Sequence, residues 1–390
     1  MTNGQQYEVC ERLDEAMSKG LGWSVLQRLR ALVELETPSR DVEASVAITR
    51  LLGSWWDEIG AKVEVVPTQF GHNLLVEVSG EGDPVLLVGH SDTVWPVGTL
   101  TGDVPWSIEG DVLRGPGAYD MKSGLVIMLA AATRLKRLRE AGGSHRGIRV
   151  VVVCDEEIGS PSTRELMLRA AEGVSAVLGF ESPHPDAALK VGRRLTTRVR
   201  HAVTGRASNA ALNPESGISA IDELVDQLQK VRGIVADPAL GTEVLCNVGT
   251  ISGGGRANVV PAYAEAEIGL RFLDTATETA VLDGLKQLTP IRDGAALDVE
   301  ILSSRPAWAP HEADNALLTD LREAATAVGQ ELDGRPAAGA GDTNLLGSLG
   351  LPTADGLGPS GGGAHAVSEH LSVESLGQRI DLLESYLTVR

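Results

Sequence analysis

Three short apolar runs, Val85-Leu-Leu-Val-Gly89, Ile148 to Cys154 and Ala176 to Phe180, constrain this chain more than any other feature. Each is too short for a buried helix and rich in Val, Leu or Ile, and apart from Arg149 each is apolar without alternation, so both of its faces must be covered. Between the runs lie longer stretches with helical spacing: Gly22–Leu35, Val42–Ile59 and Lys122–Glu140. Strands buried on both faces and separated by helices predict an α/β layer fold around a mostly parallel sheet.

The pattern changes after about residue 190. Thr196–Thr204 alternates as a strand with one buried face, Gly217–Val231 reads as a helix, and Asn247–Ile251 and Ala262–Arg271 read as further strands. The helical stretch Asn315–Val328, the glycine-laden segment Ala337–His365 and the amphipathic Glu374–Leu387 then resemble the first part again. A length of 390 residues accommodates two domains or three. The expected organisation is one discontinuous domain, residues 1–194 and 306–390, carrying an inserted α+β domain at 195–305.

Charge excludes several partners. With 34 basic against 53 acidic residues the net charge is −19, a field that repels nucleic acid and anionic membrane surfaces. The cysteines, Cys10, Cys154 and Cys246, have neither a disulfide framework nor metal-finger spacing, which fits a reducing compartment. Met1–Arg12 lacks the basic flank and apolar stretch of a secretory signal, and the longest apolar stretch, Leu125–Ala132, falls far short of the roughly 18 to 20 residues that span a bilayer. A cytoplasmic protein with no membrane association is expected.

Chemistry-bearing residues cluster where the apolar runs end. His90 and Asp92 follow the first run, Asp155-Glu156-Glu157 the second and Glu181 the third. Ligand sites of α/β sheets form at those carboxyl ends. Asp120, in Gly115-Pro-Gly-Ala-Tyr-Asp-Met-Lys122, and His365, after Gly361-Gly-Gly-Ala364, lie in segments built to bend. Singly, such acids cap helices or face solvent. At one rim together they form a ligand set for zinc or a similar divalent ion; the carboxylate excess suits two ions and leaves one carboxylate to act as base. Neither the Gly339–Asn344 segment nor the Gly356–Gly363 run ends as a P-loop does, and no Gly-x-Ser-x-Gly elbow is present.

Four motifs in this order, Gly89-His-Ser-Asp-Thr-Val94, Gly115–Lys122, Asp155-Glu-Glu-Ile-Gly-Ser160 and Asp355-Gly-Leu-Gly with Gly363-Ala-His365, resemble the M20 metallopeptidase family, in its glutamate carboxypeptidase (carboxypeptidase G2-like) branch. The resemblance runs from about residue 22 to 388. It implies a zinc-peptidase-like catalytic domain with an inserted lid and dimerisation domain. It further implies that His90 and Glu181 complete one zinc site, Glu157 and His365 the other, that Asp120 bridges both ions, and that Asp92 orients His90. Glu156 matches the family's general base. Cobalt or manganese can replace zinc, and His370 is the alternative to His365 if the loop is shifted.

In the inserted domain Gly205-Arg-Ala-Ser-Asn-Ala210 and Gly253–Pro261 resemble family segments, which implies substrate binding by Arg256, Asn258 and Arg271 and a homodimer. A surface ion pair with Asp274 is the plainer expectation for Arg271. One departure stands out: Asn209 occupies the place where relatives carry a histidine that stabilises the oxyanion. Asparagine donates a hydrogen bond but carries no charge. The expected function is hydrolysis of an N-acyl or peptidyl amide with a free carboxylate, releasing an acidic or polar amino acid. The alternatives are a deacylase of the acetylornithine or succinyl-diaminopimelate type, and a catalytically silent binding or structural protein.

Overall fold

A computed structural model describes residues 24–389. Met1–Arg12, Cys10 and the first residues of the helix predicted from Gly22 lie outside the described residues. The chain forms two compact units. The described residues up to Gly192, with Ala309–Ala337 and the chain from Gly341, make the first; Arg193–Trp308 with Ala338–Ala340 make the second.

The first unit contains β1 (Lys62–Thr68), β2 (Gly71–Val78), β3 (Glu81–His90), β4 (Ser144–Val153) and β5 (Ala176–Gly179). Across the sheet they run β1-β2-β4-β3-β5, ending on the short strand Thr353–Ala354. The pairs from β4 through β3 and β5 to that strand are parallel, while β1 and β2 add an antiparallel edge. Register places Leu87 opposite Val150 on one side and Leu178 on the other, and neighbours of both parities, such as Leu86, Val151 and Val177, are equally buried. Burial on both faces is what non-alternating runs require, at roughly 1.5–3 kcal/mol per large apolar side chain.

Helices α1 (Val25–Glu34), α2 (Val42–Glu58) and α3 (Ser123–Glu140) belong to this unit. Ser24 and Gln27 form a capping box at the start of α1, and Asp41 accepts from the Ala44 N–H at the start of α2. Leu125–Ala132 of α3 is buried all round, the signature of a helix inside the molecule.

The second unit consists of β6 (Leu195–Thr204), α4 (Ala220–Val235), β7 (Leu245–Gly253), β8 (Tyr263–Phe272), α5 (Thr275–Lys286) and β9 (Ala296–Arg305). Its sheet, β7-β8-β6-β9, is antiparallel throughout. Val199, Val203, Ile268 and Leu270 pack on Leu224, Val231, Val281 and Leu285 of the two helices. The other face carries ion pairs, Arg198 with Glu267 and Arg200 with Glu300. After Trp308 the chain returns to the first unit as α6 (Glu312–Ala327) and α7 (Val373–Leu387); α7 packs on α3 and α6.

Candidate active site

His90 is the last residue of β3, Asp155–Glu157 follow β4, and Glu181 lies just beyond β5. Parallel strands in register therefore bring the imidazole and carboxylates to one edge of the sheet. Gly89 lets the backbone approach this edge closely: a Cβ there would lie 2.7 Å from the Met121 methyl group. The turn carrying Asp120 depends on Gly117, which has φ +70°, and a Cβ there would clash with Thr93 at 2.4 Å. His365 itself sits at φ +63°, left-handed backbone that is uncommon for a residue with a Cβ.

The ligand-type residues of the first unit converge. His90 Nε2 lies 3.4 Å from Asp120 Oδ1 and 3.5 Å from Glu181 Oε1, while His365 Nε2 lies 3.1 Å from Asp120 Oδ2 and 3.2 Å from Glu157 Oε2. Atoms of His90, Asp120 and Glu157 all lie within 4.8 Å of one another, close enough to share an ion. His370 is turned elsewhere, its Nδ1–H donating to the Ser368 carbonyl at 2.9 Å.

His90 Nδ1–H donates to the Asp92 carbonyl at 2.9 Å, which leaves Nε2 as the free nitrogen of the neutral ring. That Nε2 is buried without a hydrogen bond, as is Glu157 Oε1. Lone pairs facing carboxylate oxygens repel unless a cation stands among them, so the donor set of imidazole nitrogens and carboxylate oxygens fits divalent ions. The same carboxylates favour a proton on either imidazole. Burial disfavours a charged His90, yet the Asp120, Asp92 and Glu181 carboxylates around the ring raise its pKa well above the ordinary value. Asp120 and Glu157 push His365 up to about 11. Burial pushes Glu157 up, and although burial acts the same way on Asp120, the two histidines hold that carboxyl below the usual range.

Asp92 ties two strand ends together. Its Oδ1 accepts from the Glu156 N–H at 3.1 Å, and its Oδ2 accepts from the Glu157 N–H at 3.2 Å and from Ser39 Oγ at 2.7 Å. Glu156 is buried beside this set. Cys154 is buried too, and its thiol is pushed up to about 12, chiefly by burial, so it stays protonated.

Sequence reasoning missed Glu369, a fully buried carboxylate that accepts from the Asp120 N–H at 3.3 Å. Only its position shortly after His365, in a polar segment between the glycine run and α7, hints at it. Lys122 was not singled out either; buried, it donates to the Leu32 and Leu35 carbonyls at the end of α1.

Asn209, Arg256, Asn258 and Arg271 all belong to the second unit. Asn209 is exposed, and its Oδ1 accepts from the Ala211 and Leu212 N–H groups at 3.0 and 2.9 Å, closing a turn. The Asn258 carbonyl accepts from the Ala210 N–H, and the Arg256 carbonyl from the Val259 N–H, so these three residues share one pair of loops. Arg271 stands apart, half-buried on the ion-paired face of β8. Asp274 caps α5 by accepting from the Thr277 N–H at 2.8 Å.

Residues 86–389 match peptidase family M20/M25/M40. The chain belongs to that family. This M20 protein is 28% identical over 370 residues to carboxypeptidase G2 of Pseudomonas sp. strain RS-16, covering 92% of this chain and 87% of that protein. It is 26% identical over 331 residues to succinyl-diaminopimelate desuccinylase of Gluconacetobacter diazotrophicus, covering 81% and 83%. Its fold is that of human carnosine dipeptidase 1, with a TM-score of 0.76, 16% identity and 98% of each chain covered. An M20 metallo-carboxypeptidase from Sulfolobus solfataricus has a TM-score of 0.71 at 17% identity, covering 92% of this chain and 98% of that one. The M20 chain is thus a hydrolase of a metal-dependent peptidase and amidohydrolase family, and it contains a group of residues able to hold a metal ion. No described helix is long and apolar enough to cross a membrane.

Proposed function

We propose that this M20 member is a two-zinc amidohydrolase that releases an acidic or polar amino acid from the carboxyl end of an N-acyl or peptidyl amide. The observation that carries the reading is the double engagement of Asp120, whose two oxygens face two different imidazoles, His90 and His365. A carboxylate so placed suits a bridge between two ions, with Glu181 beside His90 and Glu157 beside His365. Zinc is the first choice for this donor set, with cobalt or manganese as substitutes. Such ions supply Lewis acidity to the scissile carbonyl and make water acidic enough to react near neutral pH.

The remaining steps belong to the chain. Glu156, anchored through its N–H to Asp92, takes the proton of the attacking water and delivers it to the leaving nitrogen as the C–N bond breaks. Asp92 keeps His90 in the tautomer that offers Nε2 outward. To the inserted domain expected at 195–305, which falls within the second unit, we assign the lid and homodimer role, with 1–194 and 306–390 as catalytic domain. Arg271, Arg256 and Asn258 there grip the substrate carboxylate, for which a guanidinium fork is suited. Asn209, its Oδ1 occupied in the turn, offers only its amide N–H groups to the oxyanion. We place the reaction in the cytoplasm, where Cys154 and Cys246 remain free thiols.

The test is product release from N-acyl and dipeptide amides ending in different amino acids, with zinc, cobalt or manganese added and metal content measured. Two ions per chain and release from substrates with acidic or polar carboxyl ends are expected. A protein that carries two ions and cleaves none of them overturns the reading. Similarity to a desuccinylase supports a second one, deacylation of a succinylated or acetylated amine, which the same panel reveals by which acyl donors are cleaved.

A further inference from the structure

Glu369 is fully buried and its two oxygens accept four hydrogen bonds. Oε2 takes the Trp95 indole N–H at 2.5 Å and the Gly117 N–H at 3.2 Å; Oε1 takes the Tyr119 N–H at 3.0 Å and the Asp120 N–H at 3.3 Å. These donors come from the loop that follows His90 and from the turn that carries Asp120. Glu369 in turn sits shortly after His365, and its own N–H donates to the Ala366 carbonyl at 2.8 Å. One carboxylate therefore joins the three chain segments that present His90, Asp120 and His365.

We propose that Glu369 is a positioning residue that sets where Asp120 stands between the two imidazoles. The inference rests on the two-metal reading above. Among the described residues four donors meet the side chain, two on each oxygen, so only a group that accepts through both oxygens satisfies them. A carboxamide of the same size would turn an NH2 group toward two N–H groups, and in a buried site neither water nor rotation removes that conflict. The turn would withdraw on one side, and Asp120 would lose its simultaneous alignment on His90 and His365.

Cobalt(II) titration of the metal-free full chain tests this, followed by visible absorption and chelator competition, with thermal unfolding of the metal-free proteins in parallel. The parent is expected to take up two cobalt ions. Glu369→Gln is expected to bind them about ten- to a hundred-fold more weakly and with an altered visible spectrum, the range found when residues behind metal ligands are changed. Trp95→Phe, which deletes one donor, should shift affinity in the same direction by less. A purely architectural role would lower the unfolding temperature of the metal-free protein and leave the cobalt spectrum untouched. Parental affinity and spectrum in Glu369→Gln, with a parent that binds cobalt, overturn the positioning role alone. If Glu369→Gln does not fold, Trp95→Phe decides, and an unchanged affinity and spectrum there overturn the proposal. A parent that binds no cobalt overturns the two-metal reading and this inference with it.

Discussion

Carboxylates meet two opposite environments in this molecule: the fully buried Glu223 of the second unit, like Glu369 of the first, is surrounded by donors, whereas the half-buried acids of the candidate site are not. Glu223 accepts from the Ile291 and Arg292 N–H groups at 2.8 and 2.9 Å, from Gln227 at 2.7 Å and from the Arg292 guanidinium at 3.2 Å. In the candidate site, Asp120, Glu157 and Glu181 point at imidazoles and at one another's surroundings, and Glu157 Oε1 finds no donor. A buried acid surrounded by donors holds a loop in place; one that shares its space with other ligand atoms is costly to bury and is kept for binding a cation. Burial alone says nothing about function, whereas the identity of the neighbours does.

That contrast can be broken at four points. The largest effect belongs to Glu156→Ala, which should lower kcat by about 100- to 10,000-fold while leaving metal content at the parental value. Full activity in that variant, by product-release kinetics, removes Glu156 as base. Asn209→Ala comes next: loss of an oxyanion donor costs about 100- to 1000-fold in kcat, and a neutral donor should forfeit somewhat less. Asn209→His should match or exceed the parent on simple amides. If both variants turn over at the parental rate, Asn209 serves its turn and nothing else. Arg271→Ala should raise KM about tenfold or more, as loss of a charged hydrogen-bond partner does, with kcat changed less. An unchanged KM takes Arg271 out of the substrate site.

The smallest effect on turnover is expected from Glu223→Gln. Although burial opposes ionisation there, hydrogen bonds from Gln227, Ile291 and Arg292 bring the Glu223 carboxyl down from 4.5 to about 2. A lowered carboxyl pKa contributes stability that is complete above the unfolded value and is lost as pH falls through the folded one. Amide exchange at Ile291 and Arg292 should therefore be faster in the variant at neutral pH, and the difference from the parent should close between about pH 4.5 and 2. A difference that persists below that window would show that the charge is not what holds the loop.

Legibility followed physical locality. β3, β4 and β5 were readable because a strand covered on both faces needs an unbroken apolar run, and their ends were readable because acids and histidine stop such runs. The edge strand β1 is largely exposed and carries no core signature, and β2, paired on both sides and buried over 73–76, is interrupted in sequence by His72, Asn73 and Glu77. α5, with its polar Thr-Ala-Thr-Glu-Thr start and an internal Gly284, has a weak helical pattern, and β9, with no fully buried residue, has no core signature either. The second unit's residues, exposed on loops or on a charged sheet face, carry no positional signal comparable to a strand end.

What the sequence determined by itself was the class of layered fold, the inventory of residues able to bind a metal, and their delivery by strand ends and glycine-rich turns. Each of these depends on residues close together in the chain. Only the tertiary structure decided that both oxygens of Asp120 are engaged, that His365 and not His370 meets Glu157, and that Glu369 is buried against the Asp120 turn. Glu369 and the Tyr119 N–H that it accepts from are 250 positions apart, and such a pairing is set by how sheet and helices close on each other, which no local pattern records.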